Sequence, residues 1–442
     1  MKVHLNTLGC RLNEAELETW AEQFRGRGAT IVTDAGDADL AVLNTCAVTA
    51  EAVRKSRQTL RRLHRTNPQA KLVVTGCHAT LASEQVAGEL GVDLVLDNSA
   101  KDDLVDRALS SLDLQVMPEI ATAPAEPSLF MRNRHRAFIK VQDGCRYRCT
   151  YCIVTTARGE ERSRPIGDVV DEINRLGALG VQEAVLTGVH VGGYGSDLDT
   201  DLSSLVRAIL EDTELPRLRF ASVEPWDLPE DFWQLFGNPR LMPHMHLPLQ
   251  SGSDTVLRRM ARRCKTAEFE ALVASAREAV PGFNVTTDII VGFPGETEAE
   301  WAETLQTVER IGFGHMHIFS YSRREGTKAA RLPDPVPKSV ATERSRALHR
   351  LAETLKRQTL DALVGTRQRV LWEGHGTQDE NGLFIQSGYT ENFVRVQRRT
   401  PTANASAVIS EVEVAGCEES PRGWVLQARD DIHSTTATRA AG

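Results

Sequence analysis

The chain has 442 residues, 41% of them hydrophobic and 25% charged, with a formal net charge of −8. That length suits two to four domains with ample core, and the absence of any run near 18 uninterrupted apolar residues, or of an apolar core behind Met1-Lys-Val-His-Leu-Asn6, excludes membrane spans and a signal segment and leaves a cytoplasmic protein as the expectation. The acidic balance does not advertise a nucleic-acid binder, and 8 cysteines in a reducing compartment argue for metal or redox duty over a disulfide framework.

Residues 1–117 alternate strand and helix signals. Strand-like runs at Val3–Leu8, Leu40–Asn44, Lys71–Thr75 and Leu94–Asp97 enclose amphipathic stretches at Glu14–Arg27 and Glu51–Arg65, predicting a doubly wound α/β domain with a mostly parallel sheet. Three strands end alike, in Thr-Leu-Gly-Cys10, Leu-Asn-Thr-Cys46 and Val-Thr-Gly-Cys77. Parallel strands share one carboxyl edge, so these cysteines become neighbours, and Gly9 and Gly76 let the backbone approach a bulky ligand. A lone strand-end cysteine is usually a small buried hydrophobe. Three equivalent placements favour a tri-thiolate cluster site.

Residues 118–133, with Pro118, Pro124 and Pro127, read as a linker. Residues 134–355 alternate again, with strands expected at Ala137–Gln142, Glu183–Gly188, Arg217–Val223, Met245–Leu249, Asn284–Gly292 and Met316–Ser322. Thr266 and Thr297 read as helix N-caps, and a long helix follows over about Ser339–Leu363. The first of these strands runs into Asp143-Gly-Cys-Arg-Tyr-Arg-Cys-Thr-Tyr-Cys152. Cys145, Cys149 and Cys152 can hold three corners of a four-iron cluster and leave the fourth iron free for a small molecule. Zinc would need a fourth ligand at C-x-x-C or H-x-x-H spacing, and none follows. Residues 364–428 carry short strands at Gln368–Trp372, Gly382–Gln386, Phe393–Val396, Val408–Val414 and Gly423–Gln427, which suits a small β-barrel of the oligonucleotide-binding kind; 429–442 read as a loose tail.

Charge is unevenly distributed. No acid occurs from Ala52 to Gln69, where Arg54, Lys55, Arg57, Arg61, Arg62 and Arg65 crowd one helix; Arg258, Arg259, Arg262, Arg263 and Lys265 form a second cluster, and Arg395, Arg398 and Arg399 a third. Solvated helix faces explain any one of these, whereas three on an acidic chain favour a localised phosphate footprint. Tyr389 and Phe393 read either as RNA-stacking aromatics or as barrel core. Cys264 and Cys417 lack partners at ligand spacing, and His190, His244 and His246, near barrel strand ends, read as structural or substrate contacts.

The C-x-x-x-C-x-x-C loop after a first strand resembles the radical S-adenosylmethionine superfamily, in which the open iron chelates the cofactor and its reduction releases a 5′-deoxyadenosyl radical. Across Thr7-Leu-Gly-Cys-Arg-Leu-Asn13, Asn44-Thr-Cys46, Val74-Thr-Gly-Cys77, Gly144–Cys152, Leu247-Pro-Leu-Gln-Ser-Gly-Ser253, Ile290-Val-Gly-Phe-Pro-Gly-Glu296 and Gly388-Tyr-Thr-Glu-Asn-Phe393, the chain resembles the methylthiotransferases. That resemblance implies an N-terminal cluster domain, a partial (β/α)6 barrel and a C-terminal TRAM barrel. Lys55-Ser-Arg-Gln58 and Leu186-Thr-Gly-Val-His-Val-Gly-Gly-Tyr-Gly195 look most like the branch acting on N6-threonylcarbamoyladenosine beside the transfer-RNA anticodon. The isopentenyladenosine branch, the ribosomal-protein aspartate branch and, in another class, an RNA-binding protein with structural clusters are the alternatives.

The family reaction implies two [4Fe-4S] clusters, one on Cys145, Cys149 and Cys152 and an auxiliary one on Cys10, Cys46 and Cys77 carrying the sulfur. It also implies S-adenosylmethionine as both radical source and methyl donor. The expected partners are the transfer-RNA anticodon stem-loop, a reductant such as flavodoxin or ferredoxin, and a sulfur donor, with no membrane. For the cofactor, the strand-end residues Thr187, Gly188, Ser222, Glu224, Gln250 and Gly292 are the candidates; Arg158 reads as a partner for its carboxylate or as a surface salt bridge.

Overall fold

A computed structural model of the chain describes residues 1–112, 114, 135–402, 408–420 and 423–429. The linker expected over 118–133 and the tail expected over 429–442 lie outside these residues, apart from Arg429, which ends the last strand. Among the described residues, no helix is long and apolar enough to cross a membrane.

Strands β1 (Lys2–Thr7), β2 (Thr30–Ile31), β3 (Leu40–Thr45), β4 (Lys71–Gly76) and β5 (Leu94–Val95) form one parallel sheet in the order β2-β1-β3-β4-β5. β3 is buried along its length, as the centre of a parallel sheet must be. Helix Arg11–Gly26 packs Leu17, Trp20 and Phe24 on one face; helix Ala50–Thr66 packs Leu60 and Leu63 on the other. β2 escaped the sequence reading because two residues carry no periodicity.

The central region comprises β6 (Arg136–Lys140), a short pair β7 (Gln142–Asp143) and β8 (Arg162–Ser163), then β9 (Glu183–Thr187), β10 (Arg217–Phe220), β11 (His244–His246), β12 (Asn284–Val291) and β13 (His315–Ser320). β6-β9-β10 and β11-β12-β13 are parallel sheets, joined by single bridges from Leu218 to Leu241 and from Ser222 to His246. The result is the expected six-stranded α/β barrel in chain order, left open between β6 and β13 among the described residues. Thr297 caps its helix as expected, accepting from the Glu300 amide at 3.2 Å in a capping box. Thr266 does not: Lys265 occupies the cap, and the Thr266 amide donates to Asp254 (2.8 Å), which supplies the acceptor a cap side chain would otherwise provide.

Helix Lys338–Asp361 leads to a closed barrel of β14 (Arg367–Gln378), β15 (Phe384–Thr390), β16 (Arg395–Thr400), β17 (Ile409–Ser420) and β18 (Gly423–Arg429), in the order β14-β15-β16-β18-β17. Several strands outrun their sequence signal. Register shifts at Glu373/Thr377 and Val414/Gly416 let pairing continue through residues whose alternation has lapsed.

Candidate metal centres and active site

Cys10, Cys46 and Cys77 each follow the carboxyl end of a parallel strand, so the sheet delivers them to one edge. Cys46 and Cys77 are buried and Cys10 is exposed. The turn after β1 crosses Cys46 so closely that a Cβ on Gly9 (φ +109°) would lie 2.7 Å from its Sγ. The Val48 amide donates to Cys46 Sγ (3.5 Å) and Asn98 Nδ2 to Cys77 Sγ (3.8 Å). Arg324, beyond β13, donates to the Ala47 and Val48 carbonyls and locks this loop to the barrel.

The second triad sits on a loop fixed at both ends. Gly144 has φ +72°, and any Cβ there would overlap the Glu160 carbonyl oxygen, so only glycine can precede Cys145. The Cys145 amide donates to Gly159 (3.1 Å), Thr150 Oγ1 to the Arg259 carbonyl (2.9 Å) and the Val154 amide to Cys152 Sγ (3.4 Å). Beside Cys145, the buried His190 is held between Glu161 and Asp227 (2.6 Å to Nε2). Burial opposes its protonation, yet the Asp227 and Glu161 hydrogen bonds and the charge of Glu224 carry its pKa above the usual value. Glu161 and Asp227 also bind Arg146, so one acidic pair shapes the cysteine loop.

All eight cysteines are free. Burial pushes Cys46 up to about 11, Cys145 up to about 12 and Cys152 up to about 11. Such thiols are protonated and inert at neutral pH; a bound metal would make them thiolates by displacing their protons. Converging thiols, N–H donors aimed at sulfur and a glycine cradle against Cys46 all fit iron–sulfur clusters. The two triads are neighbours: Cys77, Ala47 and Ala157 share one apolar cluster, and Asn98 Nδ2 donates to the Ala157 carbonyl (2.7 Å) on the short helix Val154–Arg158 that follows the second triad.

Below them lies a charged seam that the sequence reading missed. Glu16 binds Lys101 (2.5 Å), Arg158 (2.9 Å) and Lys140 (3.5 Å); Arg158 also binds Asp143 (2.9 Å) and Asn13 (2.8 Å). Burial opposes ionisation, but these cations hold Glu16 well below the usual carboxylate range and Asp143 at about 2. Both expectations for Arg158 are therefore overturned. It is neither on the surface nor free for a cofactor carboxylate, because Glu16 and Asp143 consume its donors.

The six cofactor candidates fall into three groups. Glu224 lies next to the second triad; its Oε2 is buried, 3.9 Å from His190 Nε2 and without a hydrogen bond, so it can still accept from a donor such as an ammonium. Gln250 is buried with a left-handed backbone (φ +74°), its peptide bonded to Asp288 and Ile290, and Ser222 faces the open interior. Thr187 is buried in the β9 ladder, and a Cβ at Gly188 or Gly292 would crowd Gln142 or Ala341 (2.9 and 2.8 Å). The two glycines thus relieve packing within the protein.

The basic clusters divide similarly. Arg54, Lys55, Arg57 and Arg61 stay exposed, lightly paired with Glu51 and Glu89. Arg259 is bound to Glu300 and Arg262 lies over Trp226, so the second cluster is largely structural. In the third, Arg398 is buried over Trp372 while Arg395 opens to a cavity. Tyr389 and Phe393 are not barrel core: half-buried, they stack on each other (4.7 Å between centroids) at the junction of the two barrels, under the guanidiniums of Arg136 and Arg219. Cys264 is buried and Cys417 donates to Asp361, and neither joins a triad.

Residues 2–97 match the uncharacterized protein family UPF0004, and residues 139–308 match the radical SAM superfamily. The threonylcarbamoyladenosine tRNA methylthiotransferase MtaB of Thermotoga maritima is 36% identical over 400 residues, covering 89% of this chain and 90% of that one. The tRNA-2-methylthio-N(6)-dimethylallyladenosine synthase of Sorangium cellulosum is 37% identical over 86% of this chain and 83% of its own. In fold, the chain is similar to the radical S-adenosylmethionine methyltransferase TsrM of Kitasatospora setae (TM-score 0.57, 16% identity, 74% of this chain and 76% of that one). With long relatives above 30% identity, a radical SAM region carrying the three-cysteine loop and a second cysteine triad beside it, the chain belongs to the radical S-adenosylmethionine methylthiotransferase family.

Proposed function

We propose that this enzyme converts N6-threonylcarbamoyladenosine, beside the anticodon of transfer RNA, into its 2-methylthio derivative, replacing C2–H by S–CH3. The observation that carries the reading is the juxtaposition of two three-cysteine sets; a four-iron cluster on either would keep one iron without a cysteine ligand. Relatives named for the same conversion span nearly the whole chain. Aromatic C2–H has no useful acidity, so no general base on this chain could do the work. When bound, two [4Fe-4S] clusters and S-adenosylmethionine would supply the radical, the sulfur and the methyl group.

Cys145, Cys149 and Cys152 would hold one cluster, and Cys10, Cys46 and Cys77 the other. Glu224 would orient the cofactor through its ammonium, with Gln250 and Ser222 beside it and Thr187, Gly188 and Gly292 forming the strand ends that support them. The Glu16–Arg158–Asp143 seam ties the N-terminal domain to the base of the Cys145 loop. We assign the cluster domain to 1–117, the radical domain to 134–355 and a TRAM barrel to 364–428. A flavodoxin- or ferredoxin-type reductant and a sulfur donor complete the cycle.

The test is nucleoside mass spectrometry of transfer RNA from a strain lacking the gene, with and without complementation. Selective loss of the 2-methylthio-threonylcarbamoyl nucleoside, with its precursor accumulating, is expected. Loss of the isopentenyl counterpart, or no change in either, overturns the assignment.

A further inference from the structure

Between the open side of the central barrel and the C-terminal barrel lies a cavity of about 480 Å³. Its walls come from the whole chain: Arg11, adjacent to Cys10; His246 and His317 of the barrel strands; Lys356 of the long helix; Phe393 and Arg395 of the C-terminal barrel. Among the described residues, its lining holds five Lys or Arg side chains, four His and no Asp or Glu.

That charge is only partly answered. Arg136 and Arg219, both lining the cavity, share Glu183 at 2.6 and 3.1 Å; Arg136 also meets Glu373 (3.0 Å) and Arg219 donates to the Glu391 carbonyl (2.9 Å). Even so, Arg136 Nη2 and Arg219 Nη1 are buried without an acceptor. Arg11 pairs with Glu14 (2.7 Å), whereas Lys356 and Arg395 form no ion pair among the described residues; Arg395 donates only to Ser387 Oγ (3.2 Å). The nearby carboxylate of Asp288 is held by His246 Nε2 (3.2 Å). Buried donors without acceptors, in walls of one sign, are what an anion satisfies.

Arg11, next in the chain to Cys10, lines this cavity together with Lys356 and Arg395. In adenine the C2–H and C6–N6 bonds leave the six-membered ring on either side of N1 and diverge. A purine presenting C2 to the cysteine triads therefore sends its N6 substituent away from them. An isopentenyl group gains nothing from cationic walls. A threonylcarbamoyl group ends in a carboxylate. We propose that this cavity receives the carboxylate of the amino-acid substituent on N6 of the target adenosine, with Lys356 and Arg395 as the charges that recognise it. This rests on the function proposed above and makes the cavity the feature that selects substrate.

The test uses cluster-loaded protein and anticodon stem-loops whose target adenosine carries threonylcarbamoyl, its methyl ester, isopentenyl or no substituent. Wild-type protein is expected to bind the acid about 10- to 100-fold more tightly than the ester. Lys356→Met and, independently, Arg395→Gln are expected to pull the acid-to-ester ratio toward 1. Equal wild-type affinity for acid and ester overturns the proposal. So does a variant that weakens all four stem-loops alike, which marks a backbone-phosphate contact. Turnover separates this from the functional reading: wild-type protein that modifies neither acid nor ester defeats the function, whereas equal turnover of both defeats the cavity assignment alone.

Discussion

At the seam between the N-terminal domain and the central barrel, one carboxylate, Glu16, is shared by Lys101, Arg158 and Lys140; at the seam with the C-terminal barrel, Glu183 is shared by Arg136, Arg219 and, at 4.0 Å, Arg217. The first is closed in the sense that none of its charged side chains lacks a partner, although a cavity of about 620 Å³ borders it too. Asp143 and Asn13 take up the remaining Arg158 donors. The second is not, because Arg136, Arg217 and Arg219 each keep one buried nitrogen without an acceptor, and a cavity opens beside them. Buried ion networks add little stability over apolar packing, but a misdocked domain leaves their charges unpaired, so they enforce one docking geometry. The closed seam aligns the two cysteine triads. The open one leaves room for substrate.

The comparison is broken most completely at the chemistry itself. Cys149→Ala should abolish turnover while anticodon stem-loop binding persists; loss of both in a folded protein would mean that the cluster is structural and that the closed seam aligns nothing reactive. Next, Glu16→Ala leaves Lys101 and Arg158 buried without their shared partner and should cost about 3–5 kcal/mol of stability, measured from urea unfolding. The Trp20 indole, which donates to the Lys101 carbonyl (3.0 Å), offers a fluorescent reporter at that seam.

Glu183→Gln keeps the shape and loses the charge, and about 2 kcal/mol should go, with domain release followed by hydrogen exchange. Acid sharpens the same point. Burial works against the Glu183 anion, but Arg136 and Arg219 hold its carboxyl at about 2, below the ordinary glutamate value of 4.5. Its contribution is therefore complete above pH 4.5 and is lost as pH falls through 2, so the wild-type C-terminal barrel should loosen over that window and the Gln variant should lack the step. The smallest effect, about 1 kcal/mol, is expected for Phe393→Leu, which removes one ring from beneath Arg219 (4.8 Å), read as a shift in thermal midpoint.

Much of the fold was legible. The strands of the first sheet and of the barrel lie within a few residues of their expected positions, because apolar periodicity is a local property. A rule about parallel strands puts Cys10, Cys46 and Cys77 at one sheet edge, and Gly9 and Gly76 carry the positive φ that a close backbone approach demands. The misreadings share a cause. Arg158 and Arg262 each act through a partner distant in sequence, which no single position reveals.

The sequence by itself determined the three-part architecture and the two cysteine sets, since strand pattern, turn glycines and C-x-x-x-C-x-x-C spacing act over a few residues. Only the tertiary structure decided that Glu16 would meet Arg158 across 142 positions, that Glu183 would gather three arginines, and that a cationic cavity would open where the barrels join. Those outcomes depend on how whole domains dock, and docking is set by the summed burial and charge pairing of surfaces that no local pattern describes.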